Sequence, residues 1–371
     1  MTAGTAFICD DVVVKSLQDL LINTNDRKRK CMIMSLPKRV FGATGMELSA
    51  ISFGGLPMQR CSMKEAELVL NTALDAGINF IDTARAYTDS EEKIGKVAHR
   101  RAEFYLASKS MARSAEAMYK DILTSLELMK TDCIDLYQIH NVKKMEELEL
   151  VLAADGALQG LKKAQAEGKI KHIGITGHSL EVLIKAVKTN EFASVQVPYN
   201  FIEQKAADEL FPLARERRMG IIIMKPLGGG QLNEIKLSLR FILQQPDVII
   251  IPGMDDVTHV QENLSVLKPY IALNAQELAT LKAEADIVGE NFCRRCAYCM
   301  PCPKGIDIPQ IFIFQLQYKR YNLVDAIPKR YAAMPVKASA CVNCGACEKK
   351  CPYNIPIRQR LTEMRELMGD M

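Results

Sequence analysis

Eight cysteines in the last quarter of the chain fall into two tight strings. Cys293, Cys296, Cys299 and Cys302 form the first, and Cys341, Cys344, Cys347 and Cys351 the second, each string ending in Cys-Pro. Thiolates packed so closely along the chain converge on one compact, multi-iron centre, with Gly345 keeping the second loop slim and the prolines turning the chain away. A zinc ribbon would use two C-x-x-C pairs rather than triplets. A disulfide framework belongs to secreted chains, and no secretion signal is present. Eight thiolates are enough for two [4Fe-4S] cubanes. Cys9, Cys31, Cys61 and Cys133 stand alone and read as ordinary buried or surface thiols.

A second set of residues has the logic of carbonyl reduction. Asp82, Lys109 and His140 each close a short apolar run, and Tyr87 follows Asp82 in the next loop. Hydride arriving at a carbonyl carbon leaves an alkoxide that must be protonated. Tyr87 can supply that proton if its pKa falls from about 10 towards the working pH. A fall of about 3 units needs roughly 4 kcal/mol of added phenolate stabilisation. Lys109, a cation held by Asp82, is its natural source. His140 would orient the carbonyl oxygen or share in the proton transfer. Singly, each has a plainer reading: a structural ion pair, a half-buried aromatic, a satisfied core histidine. Four compatible groups at consecutive run ends favour the chemical one.

The elements that must position these groups follow from periodicity. Short apolar runs at 51–53, 79–82, 104–108, 133–139, 172–175, 194–197, 220–224 and 248–251 alternate with stretches such as 64–76, 114–129 and 203–217, which carry apolar residues at three and four spacing. Eight strands alternating with helices force a parallel sheet with helices outside and predict an α/β fold, a (β/α)8 TIM barrel, with the chemistry at the C-terminal strand ends. A doubly wound open sheet is the runner-up, but no G-x-G-x-x-G follows the first strand. Residues 38–41 and 46–48, around a turn with Gly45, predict a hairpin ahead of the barrel. A helix is expected at 275–285. The predicted domains are an N-terminal extension or mis-assigned start over 1–34, the barrel over 35–288, and a small, mainly helical iron-sulfur domain over 289–371. In the last, a degenerate repeat flanks a packing helix at 311–323.

Composition narrows the partners. Forty-eight basic against 44 acidic residues, a net +4, are too balanced to imply nucleic acid, and 48% hydrophobic residues supply a proper core. No apolar run approaches the roughly 18 residues of a membrane span. The Arg27–Lys30 run reads as a solvated patch. A soluble protein of a reducing cytoplasm is expected.

The strings Asn79-Phe80-Ile81-Asp82-Thr83-Ala84 with Tyr87, Ala107-Ser108-Lys109-Ser110 and Asp135-Leu136-Tyr137-Gln138-Ile139-His140 resemble the Asp-Tyr-Lys-His tetrad of the aldo/keto reductase superfamily. The likeness covers about 37–288, and with the cysteines it extends to the branch fused to a ferredoxin-like domain. It implies a barrel that uses NAD(P)H without a Rossmann fold, a small carbonyl or alcohol substrate, and Tyr87 as general acid. The second cysteine string resembles that of bacterial-type ferredoxins, which implies crosswise sharing: Cys293, Cys296 and Cys299 with Cys351, and Cys341, Cys344 and Cys347 with Cys302. The first string departs by having two residues, not three, before its last cysteine.

On the cofactor side the resemblance implies that Gln196 holds the nicotinamide carboxamide and that Glu262 and Asn263 lie at the adenine end. Thr176-Gly177 stands where the family has Ser-Asn, and Met224 where a tyrosine stacks on the nicotinamide. Gly253-Met254 replaces Lys-Ser, and His259 replaces the arginine that grips a 2′-phosphate. Two lost charged contacts at about 1.5 to 3 kcal/mol each argue against strict NADP dependence. Lys225 and Gly228-Gly229-Gly230 read either as a cradle for the pyrophosphate or as a plain loop. Hydride carries two electrons and a cubane one, so an electron-transfer protein with the barrel as scaffold, serving a redox-protein partner, is the competing function. Structural or oxygen-sensing clusters are a third.

Overall fold

The structure, a computed structural model, describes residues 36–230, 232–267, 271–289, 293, 299–320, 323–351 and 355–370. The extension expected at 1–34, the Arg27–Lys30 run, Cys9, Cys31 and Cys296 lie outside these residues.

Strands β1 (Lys38–Val40) and β2 (Glu47–Ser49) form the expected antiparallel hairpin, with Arg39 opposite Leu48. Eight parallel strands follow: β3 (Phe53–Gly54), β4 (Phe80–Asp82), β5 (Tyr105–Ser110), β6 (Ile134–Val142), β7 (Ile170–Gly177), β8 (Ser194–Pro198), β9 (Gly220–Met224) and β10 (Val248–Ile250). Each pairs with the next in the chain. Ile51 bridges Ile250 and Gly54 bridges Gly253, with the Ser52 amide donating to the Ile250 carbonyl at 2.8 Å, so the last strand meets the first and the sheet closes. Strands such as Gly-Ile-Ile-Ile-Met are buried on both faces, which is why they read as unbroken apolar runs rather than as alternation.

The helices α1 (Met63–Asp75), α2 (Ala115–Met129), α3 (Ala157–Ala166), α4 (Leu180–Val187), α5 (Leu210–Glu216), α6 (Ile235–Leu243) and α7 (Val257–Ser265) pack outside. Ser62 begins α1 with a capping box, accepting from the Glu65 amide while Glu65 accepts from its own. Helix α5 is shorter than the 203–217 periodicity predicts. Pro212 lies in its first turn, where its ring would clash with the carbonyl four residues back, so the helix cannot extend further towards 203.

Inside the barrel, Phe80, Ala107, Leu136, Ile222 and Ile249 form one apolar cluster with Phe41, Met46 and Leu48 of the hairpin. The hairpin therefore plugs the end at which the strands begin. Gly220 opens β9, and a Cβ there would stand 2.4 Å from the Phe41 ring. With the floor sealed, the C-terminal strand ends are the open mouth.

Helix α8 (Ala275–Gly289) covers the 275–285 expectation and leads to the cysteine region. There α9 (Ile308–Arg320), α10 (Ala346–Lys350) and α11 (Ile357–Met368) surround a separate core of Ile306, Ile311, Phe312, Ile327, Leu361 and Met364. The helix predicted at 311–323 starts earlier, at Ile308, with Pro309 in its first turn where no amide is missed.

Candidate functional site

The four tetrad residues meet at the mouth. Asp82 ends β4 and Lys109 lies in β5, both almost wholly buried, and their side chains form an ion pair. The Lys109 ammonium also donates to the Thr83 carbonyl at 2.9 Å, and it stands 5.0 Å from the centre of the Tyr87 ring. The Tyr87 ring meets His140, at the end of β6, edge to face with centres 5.9 Å apart. Burial pushes the Asp82 carboxyl up, against the pull of Lys109, Gln138 and Gln196. For Lys109, burial works against the ammonium, but Asp82 and Tyr87 outweigh it and hold the group above its ordinary value. Burial, with the charges of Lys109, Arg113 and Lys143, pushes His140 down from 6.5 to about 3. His140 is therefore a neutral imidazole near pH 7, suited to orienting an oxygen and not to delivering a proton as imidazolium.

Gln138 is a member of the site that the sequence reading missed. It sits beside Lys109 in the β5–β6 register and donates to Asp82 at 2.9 Å. Its signal was an amide between Tyr137 and Ile139 in the buried part of the strand.

Behind the tetrad a buried polar lock holds the Tyr87 loop. The Thr83 and Arg85 amides donate to the Ala107 and Lys109 carbonyls, so the loop runs on alongside β5. Glu91, 1% exposed, accepts from Arg85 and Ser108 at 2.5 Å and from Ser125 at 2.7 Å. Ser125 in turn contacts the Tyr137 hydroxyl at 3.0 Å.

The cofactor-side candidates are less uniform. Gln196 is buried in β8, and its Oε1 has no hydrogen-bond partner among the described residues, so it offers an acceptor suited to a carboxamide. The Thr176 hydroxyl accepts from the Asn141 amide at 2.8 Å, and Asn141 Oδ1 lies 3.0 Å from His178 Nδ1, which brings two further polar side chains to the rim near His140. Met224 packs against the barrel interior, opposite Pro198. Lys225, Gly228, Gly229 and Gly230 all have positive φ, so the loop after β9 is a tight left-handed turn. Gly253 has a packing reason to be glycine: a Cβ there would stand 2.5 Å from the Pro57 ring. His259 is bonded to Asp255 at 2.9 Å, and Asp255 also pairs with Arg60 at 2.7 Å. Asn263 is buried in α7, and Glu262 is half-buried beside it.

Cys302, Cys341, Cys344 and Cys347 line one cavity, with Gly345, Ile308, Leu361 and Arg358. This brings the last thiol of the first string to the first three of the second. Gly345, with φ of 72°, lets the loop turn into α10. Cys293, Cys299 and Cys351 pack against the same apolar core. Among the described residues no three His, Cys, Asp or Glu side chains are grouped as ligands of a single ion. A cubane asks for a different arrangement, one thiolate for each iron, and four cysteines around one cavity fit it. Cys61 and Cys133 lie apart from both strings, and burial pushes the Cys61 thiol up to about 11 and raises Cys133 as well.

Residues 50–237 match the aldo/keto reductase family and residues 292–356 the 4Fe-4S dicluster domain. An aldo-keto reductase of Strobilurus tenacellus is 28% identical, over 75% of this chain and all of its own. L-galactose dehydrogenase of Arabidopsis thaliana is 26% identical, over 67% of this chain and 93% of its own. Among solved structures, an aldo-keto reductase from Klebsiella pneumoniae in complex with NADPH superposes with a TM-score of 0.56 at 25% identity, covering 67% of this chain and 95% of its own. Among the described residues no helix is long and apolar enough to cross a membrane. With its barrel, its mouth and its matching sequence in agreement, the chain belongs to the aldo/keto reductase family, an oxidoreductase whose barrel is followed by a 4Fe-4S domain.

Proposed function

We propose that the barrel interconverts a small carbonyl compound and its alcohol with NAD(P)H, and that residues 293–351 hold two [4Fe-4S] clusters that exchange electrons with a redox-protein partner. The observation that carries the first part is the position of the Lys109 ammonium, paired with Asp82, bonded to the Thr83 carbonyl and 5.0 Å from the centre of the Tyr87 ring. Bound nicotinamide supplies the hydride, and the clusters supply one-electron storage. Gln196 would hold the carboxamide, and the turn of Lys225 to Gly230 would lie along the phosphates. The neutral His140 directs the carbonyl oxygen towards Tyr87, whose hydroxyl gives its proton as the alkoxide forms. Lys109 stabilises the phenolate left behind, and Asp82, fixed by Gln138, keeps Lys109 in place.

Tyr87→Phe tests this with a panel of aldehydes and ketones and either NADH or NADPH. Loss of turnover with retained nicotinamide binding is expected, and unchanged turnover overturns the proton-transfer role. Met224 in place of a stacking tyrosine, and a Thr176 hydroxyl already engaged with backbone, favour a second reading in which the barrel is a scaffold for an electron-transfer protein. Anoxic addition of NADPH without a carbonyl distinguishes the two. Cluster reduction seen by EPR would support direct wiring of barrel to clusters, whereas bound NADPH with oxidised clusters would support separate chemistries.

A further inference from the structure

Arg113 stands in the loop between β5, which holds Lys109, and α2, and its side chain is 21% exposed. Its Nη2 donates to the His140 carbonyl at 2.9 Å, to the Asn141 carbonyl at 3.2 Å and to Glu147 at 3.1 Å. Its Nη1 donates to the Met111 carbonyl at 3.1 Å and to the Ala112 carbonyl at 3.4 Å. One side chain therefore joins the segment just after Lys109 to the backbone of His140. The backbone of Arg113 is fixed in turn: its carbonyl accepts from the Ala157 amide at 2.8 Å, at the start of α3, and the adjacent Ser114 bridges Gly156.

Strand β6 needs such a tie at this point. Ile139 pairs with Ile175 but Val142 pairs with Gly177, so β6 carries one residue more than β7 between the two pairs and bulges at His140 and Asn141. Asn141 takes a left-handed backbone there, with φ of 57°, a conformation that persists where its surroundings hold it. A bulge re-aims the side chains it carries, here that of His140. Two sets of bonds hold it: the Asn141 amide on the Thr176 hydroxyl at 2.8 Å, and the His140 and Asn141 carbonyls on Arg113. A planar guanidinium meets several acceptors at fixed angles, which an ammonium cannot do. Its charge also joins burial and Lys109 in keeping the imidazole neutral.

Building on the carbonyl-reduction reading above, we propose that Arg113 is the positioning residue for His140. Its guanidinium holds the bulge that presents the imidazole to the substrate oxygen, and it ties that bulge to the segment after Lys109, so the groups from β5 and β6 keep their spacing. Arg113 acts through His140 and touches no reacting atom.

The test uses the full chain with isotope-labelled histidine, and NADPH with a panel of aldehydes and ketones. His140→Gln identifies the His140 ring signals by their loss from the NMR spectrum. In Arg113→Gln those signals should move at constant pH, while the signals of His172, near the start of β7, stay in place. The kcat should fall by about 100-fold, the cost of a misplacement of about 1 Å, with the Kd for NADPH unchanged. Arg113→Lys keeps the charge without the fork and should recover part of the lost kcat. Introduced into His140→Gln, Arg113→Gln should cost little more, because the residue it positions is gone. Unmoved His140 signals, full recovery in Arg113→Lys, or the same loss of kcat with and without His140 overturns the proposal. Should Arg113→Gln fail to fold, Arg113→Lys supplies the ring signals, and their staying in place overturns it equally. Failure of the carbonyl-reduction reading shows separately, as Tyr87→Phe turning over like the wild type, and the ring signals then still report on Arg113.

Discussion

Replacing Lys109 by Met and Asp82 by Asn together removes the buried ion pair while leaving no lone charge behind. The pairing of the two substitutions matters, because removing one partner from a buried pair costs about 3 to 5 kcal/mol through the charge that remains. Lys109→Met alone should therefore unfold at clearly lower denaturant than the double variant. The chemical consequence concerns Tyr87. An ammonium 5.0 Å from the ring centre, acting through an effective dielectric of about 20, stabilises the phenolate by about 3 kcal/mol, or roughly 2 pH units. The same attraction is among the causes that hold Lys109 above its ordinary value. The assay needs no substrate. Tyrosinate absorbs in the ultraviolet, and the difference between each protein and its Tyr87→Phe counterpart isolates the Tyr87 phenol. Its ionisation midpoint should rise by about 2 pH units in Lys109→Met, and by less in the double variant, which also removes the Asp82 carboxylate that repels the phenolate. A midpoint that stays in place would refute the assignment of Lys109 as the source of phenolate stabilisation.

Three further outcomes are expected. Because His140 is held neutral down to about pH 3, a carbonyl-reduction profile should show no inflection near pH 6.5. The unfolded imidazole binds its proton near 6.5 and the folded one only near 3, so His140 lowers stability as the pH falls through that window, and acid unfolding of His140→Gln should be flatter there. Glu91→Gln leaves Arg85 and the serines short of a charged acceptor; it should cost about 1 to 3 kcal/mol in denaturant unfolding and depress turnover more than nicotinamide binding, since it loosens the Tyr87 loop. Asp135, 1% exposed, is buried against its own ionisation, yet Lys171, Arg101 and the Leu106 amide hold its carboxyl low. Asp135→Asn should destabilise by about 1.5 to 3 kcal/mol near neutral pH, and the difference from wild type should shrink on acidification, as the wild-type carboxylate protonates.

The barrel was legible because strands buried on both faces must be apolar throughout, and runs such as 220–224 and 248–251 have nowhere else to go. Asp82, Lys109 and His140 stood out because each interrupts such a run at its end, where a buried charge or imidazole requires a reason. Gln138 did not stand out, since an amide one position from apolar neighbours carries no charge to draw attention. The lock around Glu91 was invisible for a different reason: Ser108 and Ser125 lie 17 and 34 residues away, and no local pattern announces a contact made by folding. Gly253 stood out in the sequence only as a missing charged contact, and its packing reason was hidden, since the Pro57 ring that a Cβ there would meet lies almost two hundred residues earlier in the chain. Helix α5 was overextended because apolar spacing continues through a segment whose backbone Pro212 interrupts.

The cavity of Cys302, Cys341, Cys344 and Cys347 is walled by Leu361 and Arg358 of α11, and this sets an order of events during biosynthesis. Domains fold as units as the chain emerges, and the strands that close the barrel, β3 and β10, are both complete by Ile250. The four cysteines share no enclosed space until more than a hundred further residues have left the ribosome. A cluster would therefore be assembled on a chain whose barrel is already built, and a shortage of iron would leave chains with a folded barrel and an unfilled cysteine cavity.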